Sequence, residues 1–401
     1  MEVDGSGRSG DENDGTGDES DVTGDGSGVM GDESDATRET PVVAAIEQYL
    51  DSVEAGNSRK NFRSTLDEWR SWLHEERGVT SLDDLSVLDC RRYARHLKGR
   101  VRDGDLKAST ARTYYAYVRA FLTFCVADEL LESNPAKAKR ATDELPEDLG
   151  DADRQFWGRD ERRAIMDHVD DRVRHALDGG ANVPPRRAYR DRAIVYLLAL
   201  SGVRGAEVFA VPADEKRTGL AWADVQLDAG AVRVLGKSRE YEYAQLPERA
   251  ATALERFRTT LDPPTEEWPV FPSAHAPSKY RAVREQLSTR GDPDDEIERL
   301  LDANGVDRVL RERDVAPPAL STNGARSLVK RLCEEADIDV DGDYLKPHGA
   351  RRGLGHELYA SGHAELAQSA LRHASIETTH ESYSDIQAAE TARQVDELLD
   401  E

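Results

Sequence analysis

The apolar residues between positions 42 and 125 recur every three or four places, and this constrains the fold most. Val43, Ile46, Leu50 and Val53 share one helical face, as do Phe62, Leu66, Trp69 and Leu73. Val87, Cys90, Ala94 and Leu97 form a third such face, and Ala111, Tyr114, Tyr115, Val118, Leu122 and Cys125 a fourth. A period of 3.6 with polar residues between predicts four amphipathic helices with their stripes turned to one core. Asn134-Pro135 ends the block, so residues 41–135 are expected to form a helical domain.

The flanks differ in composition. Residues 1–40 hold 13 acids, 2 arginines and almost no apolar side chains, so an acidic, disordered head is expected. Residues 136–154 are polar and are expected to be a linker. From Gln155 the pattern resumes as a second domain, 155–401. "RDRAIVYLLALSG" (190–202) predicts an apolar helix ended by Gly202. "AVRVLG" (231–236) and "EYEYAQL" (240–246) nearly alternate around a polar turn, which predicts a β-hairpin. A polar stretch near 275–318 reads as an insertion with one charged helix. Residues 323–336 are helical again, and an amphipathic helix is expected near 387–400. The fold class is therefore mainly α with a small antiparallel β-sheet.

Charge says less about partners than its total suggests. The formal net charge is -25, yet Arg outnumbers Lys 44 to 10. Acid excess with Arg favoured over Lys suggests adaptation to high salt, where a charged surface maintains solubility. The three cysteines are far apart and form no C-x-x-C pair, which argues against a disulfide framework or a cysteine zinc site. No run of 18 apolar residues occurs, and a cytoplasmic location with no membrane partner is expected. "GSGRSG" (5–10) lies in the acidic head with no strand before it. "HELYA" (356–360) lacks the second histidine of a zinc-protease helix.

Against this acidic background "KPHGARR" (346–352) gathers Lys346, His348, Arg351 and Arg352. His348 and Arg351 lie one turn apart and can share a face. "LRHASIETTHESY" (371–383) adds His373 and Tyr383, "SGVRGAE" (201–207) adds Arg204 and Glu207, and the hairpin turn adds Lys237. Two arginines, a lysine, two histidines and a tyrosine thus come from separate elements.

In these segments and in their order the chain resembles the tyrosine recombinase, or phage integrase, family. The resemblance covers roughly residues 41–395. It implies a two-domain clamp on double-stranded DNA, a helical core-binding domain followed by a catalytic domain. Arg204 and Arg351 would hold the non-bridging oxygens of a phosphodiester with planar forks. Tyr383 would attack phosphorus. A phenol of pKa about 10 is ionised to roughly 0.1% at neutral pH, so it needs help. His348 is the candidate proton acceptor and His373 a hydrogen-bond donor to the phosphate. Lys237 is the candidate acid for the leaving 5′-oxygen, and Glu207 an orienting group. Arg352 would touch phosphate, as would Arg59, Lys60, Lys107 and Arg112 in the first domain. The bond energy is kept in a 3′-phosphotyrosine, so neither cofactor nor metal is implied. A homodimer or homotetramer on DNA is expected. A type IB topoisomerase and a non-catalytic DNA-binding regulator are the alternatives. The interval from His373 to Tyr383 is ten residues where the family has nine, so a loop or bulge must absorb one residue.

Overall fold

The computed structural model describes residues 40–53, 56–148, 155–179, 183–340 and 343–383. The expected acidic head, the last part of the expected linker and the tail helix near 387–400 lie outside the described residues.

Helices α1 (Val42–Ser52), α2 (Asn57–Arg77), α3 (Val87–Arg102) and α4 (Ala108–Ala127) enclose the first apolar cluster. On α1 the buried face is Val42, Ala45, Ile46, Tyr49 and Leu50, whereas Val43 is exposed. The stripe expected from sequence is rotated because Tyr49 turns inward against Phe62 and Phe121. Gly78 closes α2 at φ 67, a left-handed turn that glycine adopts without penalty. Asp89 accepts the Ser86 N–H at 3.1 Å and an Arg77 Nε–H at 2.7 Å, so one carboxylate caps α3 and ties it to α2.

The chain does not become a linker at Pro135. A 3₁₀ turn (Pro135–Lys137) and the short α5 (Lys139–Thr142) bury Ala136 and Ala141 in the first cluster. Tyr115 donates to the Ala136 carbonyl at 3.1 Å. Small residues in a polar stretch carried little hydrophobic signal, which is why 136–148 read as linker.

The second cluster is built around α7 (Pro185–Ser201), whose residues Ala193–Ala199 are all buried. α6 (Arg159–Leu177), α9 (Glu248–Leu261) and α14 (Pro347–Ala360) pack on it, which explains why its second half is apolar on every side, while Arg186, Arg187, Arg190 and Arg192 occupy the first half. After the one-turn α8 (Gly205–Val208), a three-stranded antiparallel sheet follows in the order β1 (Val225–Gln226), β2 (Ala231–Leu235), β3 (Tyr241–Gln245). Val234 pairs with Glu242 and Leu235 with Tyr241, leaving Lys237 in the turn. Val232, Val234 and Ala244 face the core.

The region near 275–318 holds three helices rather than one: α10 (Ala276–Thr289), α11 (Asp294–Asn304) and α12 (Val306–Glu312). Val283, Leu287, Ile297, Leu301 and Leu310 extend the same core. Their narrow stripes are diluted by charged outer faces, and this hid two helices from a reading by composition. α13 (Thr322–Glu335), α15 (Ala364–Leu371) and α16 (Ile376–Ser382) complete the described chain. Tyr359, Ala367, Leu371 and Tyr383 form a small separate apolar cluster.

Candidate active site

Gly202 ends α7 at φ 63, and a Cβ there would stand 2.8 Å from the Ala370 carbonyl oxygen. This close turn places Arg204 at the start of α8. Glu207 accepts both the Arg204 N–H and an Arg204 Nη1–H, each at 2.7 Å. Burial alone would raise the Glu207 carboxyl. The Arg204 N–H and the guanidinium groups of Arg372 and Arg204 outweigh it and hold the group below the usual carboxylate range.

α14 opens with Pro347 in its first turn, where a missing N–H costs nothing. His348 and Arg351 follow one turn apart. Arg351 is buried, and its two Nη groups donate to the main-chain carbonyls of Gly202 and Leu371. It therefore brackets the ends of α7 and α15. Burial first, then the charges of Arg204 and Arg372, push its pKa down to about 10. It remains a cation at neutral pH.

His348 lies below the ordinary imidazole value because of burial and of Arg352, Arg351 and Arg204. His373 is pushed down to about 4 by burial, then by Arg351 and Arg204. Both rings are therefore neutral at pH 7. His373 Nδ1 shares a hydrogen bond with Thr379 Oγ1 at 2.9 Å, and Thr379 is buried.

α16 stops at Ser382, and Tyr383 has left helical geometry at φ -129, ψ 23. The ten-residue interval from His373 to Tyr383 therefore does not run as one continuous helix. Tyr383 is only 4% exposed, and its hydroxyl donates to the Arg352 carbonyl at 3.4 Å. Burial raises its pKa, against a lowering by Arg351 and Arg352. Gly355 makes room for it: a Cβ there would lie 2.1 Å from the Tyr383 hydroxyl oxygen.

His348, Arg351, Arg352, His373 and Tyr383 line one cavity of about 310 Å³, with Phe156 and Leu371. Arg204 and Lys237 do not line it. The Arg204 charge acts on both histidines and on Arg351, so it lies within electrostatic range. Lys237 is exposed on the β2–β3 turn. That turn is anchored by Arg217, which donates to the carbonyls of Ala206 at 3.0 Å, Leu235 at 2.8 Å and Gly236 at 2.6 Å. Tyr359, the other tyrosine nearby, has its hydroxyl 2.6 Å from His380 Nδ1 and does not line the cavity.

In the first domain Arg59 pairs with Asp51 at 2.6 Å, and Arg112 donates to the Pro146 carbonyl at 3.0 Å. Lys60 and Lys107 are exposed. Reading the sequence missed Arg372, Thr379 and Arg217. Thr379 had a weak signal, an uncharged side chain in a polar helix. Arg372 and Arg217 had none, because their partners are distant in the chain.

A cavity lined by a buried arginine, two neutral histidines and a tyrosine, with a second arginine close by, is suited to phosphoryl transfer. Comparison with known proteins agrees. A profile for the phage integrase family matches residues 160–390, and one for a phage integrase N-terminal SAM-like domain matches residues 46–129. The chain belongs to the phage integrase family and is a tyrosine recombinase. It is 24% identical over 325 residues to tyrosine recombinase XerC of Vibrio parahaemolyticus, covering 80% of this chain and 81% of that one. It is 26% identical over 232 residues to tyrosine recombinase XerD of Pseudomonas aeruginosa, a match spanning 55% of this chain and 64% of that protein. In fold it is similar to XerH site-specific recombinase in a post-cleavage complex with palindromic difH substrate. The TM-score is 0.56 at 14% identity, over 90% of this chain and 98% of that one. The integrase of transposon Tn1549, in complex with a circular intermediate DNA, gives a TM-score of 0.54 at 14% identity, over 88% and 99%.

Proposed function

We propose that this tyrosine recombinase cuts and rejoins double-stranded DNA at specific sites through a 3′-phosphotyrosine, as a cytoplasmic protein acting in pairs or tetramers on DNA. The observation that carries the reading is the meeting of His348, Arg351, His373 and Tyr383 around one cavity, within the field of Arg204. Arg351 and Arg204 offset charge that grows on the non-bridging oxygens in the transition state. Tyr383 Oη forms a bond to phosphorus while the bond from phosphorus to the 5′-oxygen breaks. The phenolic proton passes to His348, whose depressed pKa leaves it free to accept. With the Thr379 hydroxyl on Nδ1, His373 presents Nε2–H to a phosphate oxygen. Lys237 supplies a proton to the departing 5′-oxygen. A 5′-hydroxyl from another strand reverses these steps and seals the joint. Glu207 holds Arg204 in place. Arg59, Lys60, Lys107, Arg112 and Arg352 are assigned to phosphate contacts, which set register on the duplex rather than sequence.

The test is covalent capture of a nicked duplex. Tyr383→Phe removes one oxygen and little volume, so DNA binding persists and the adduct vanishes. Tyr359→Phe still forms it. An adduct mapped outside residues 373–383 would overturn the reading.

A further inference from the structure

Arg372 takes no part in the chemical steps proposed above. It occupies a left-handed backbone position, φ 50 and ψ 48, directly before His373. A side chain with a Cβ rarely sits there unless its surroundings hold it. What holds it is a pair of ion contacts, one to the buried Glu207 and one to the half-buried Glu242. Nη2 donates to Glu207 Oε2 at 2.5 Å and Nε to Glu242 Oε2 at 3.0 Å, with the side chain only 10% exposed. Nη1 is buried without a hydrogen-bond partner among the described residues, so the geometry serves the two carboxylates rather than full satisfaction of the guanidinium.

The two partners lead to different halves of the site. Glu207 is the group that fixes Arg204. Glu242 lies on β3 opposite Val234, at the root of the turn that carries Lys237. Its carboxylate lies over Gly236, where a Cβ would stand 2.3 Å from Glu242 Oε1. One side chain thus joins the Lys237 hairpin, the Arg204 helix and the backbone of His373.

On the reading of the site just given, we propose that Arg372 is a positioning residue that holds the Lys237 hairpin against the phosphate site through Glu242. Its contribution is made at the departure of the 5′-oxygen, because Lys237 must reach that atom to hand over its proton. A misplacement of about 1 Å in such a group costs on the order of 100-fold in rate.

The test compares two nicked duplexes. In one the scissile phosphate has its ordinary 5′-oxygen. In the other a sulfur replaces that bridging oxygen and leaves as a thiolate that needs no proton. Arg372→Gly removes the guanidinium and relieves the left-handed backbone. Glu242→Gln weakens only the tie to the hairpin and keeps Glu207 with Arg204, so it decides alone if the first variant does not fold. Both variants are expected to cleave the oxygen duplex about 100-fold more slowly than the unmodified protein. On the sulfur duplex Glu242→Gln should come within about threefold of it, since the missing acid no longer matters, whereas Arg372→Gly, which also takes an ion partner from Glu207, should recover only part of its loss. Equal slowing on both duplexes would overturn the proposal, because the loss would then lie in the phosphate site or the fold. So would unchanged rates on both. If the unmodified protein forms no adduct with either duplex, the recombinase chemistry itself is wrong and the proposal falls with it.

Discussion

At the scale of single residues the site is governed by burial and by its own cations. His373 shows this most directly. Its imidazole would titrate near 6.5 in an unfolded chain but is pushed down to about 4 here, chiefly by burial. Between those values the unfolded state binds a proton that the folded state refuses. Stability is therefore lost as pH falls through this window, and the loss is complete below about 4. In urea titrations at pH 7 and pH 4.5, the margin of the unmodified protein over His373→Gln should shrink on acidification. A constant margin would contradict the depressed value. The other buried histidines are common to both proteins and cancel. The residue types at the site are legible in the sequence alone, because a phosphate needs guanidinium forks and a tyrosine needs an acceptor. Their protonation states are not. Those depend first on burial, then on Arg351 and on Arg204, which stands far upstream in the chain yet acts on both histidines.

At the scale of elements α14 depends on its glycines. Gly349 and Gly353 lie one turn apart and let the segment 155–157 run against the helix. Trp157 N–H donates to the Gly349 carbonyl at 3.1 Å, and its indole N–H to the Lys346 carbonyl at 2.9 Å. A Cβ at Gly353 would stand 2.2 Å from the Trp157 carbonyl oxygen, which is backbone and cannot swing away. On an open helix face Gly→Ala stabilises by up to about 1 kcal/mol. Here the sign should reverse, with Gly353→Ala costing about 1–3 kcal/mol as overpacking. Equilibrium unfolding in urea measures it, and a neutral or stabilising result would refute the packing argument. The one-turn spacing of His348 and Arg351 pointed to a helix here, but no feature of the sequence assigned these glycines a use. Their use lies in a segment almost 200 residues earlier, as the separation of 189 between Trp157 and Lys346 shows.

At the scale of the whole molecule the excess of acid decides how salt acts. Exposed pairs such as Arg284 with Glu298 at 2.6 Å, or Arg299 with Asp295 at 2.9 Å, contribute little singly and less when screened. A net charge of -25 nevertheless repels a polyanion. Added salt weakens contacts to phosphate by counterion release, and it also screens that repulsion. The two effects oppose, so DNA affinity should fall only shallowly between moderate and molar KCl. Anisotropy titrations with a labelled duplex would show it, and a steep linear fall of log affinity against log salt would exclude the balance.

The sequence by itself determined the mainly helical class, the hairpin, and the identities of Arg204, Lys237, His348, Arg351, His373 and Tyr383 as candidates. Each of these is a local property, a period of 3.6 or 2 or a motif a few residues long. Only the tertiary structure decided that Val42 rather than Val43 is buried, that three helices of 276–312 join the main core, and that Tyr383 rests over Gly355 at the end of α16. It alone joined Arg372 to Glu207 and Glu242, which are 165 and 130 residues away. Ion pairs and close packing are set by distance in space. No local pattern encodes which carboxylate a buried guanidinium will meet once the chain has closed on itself.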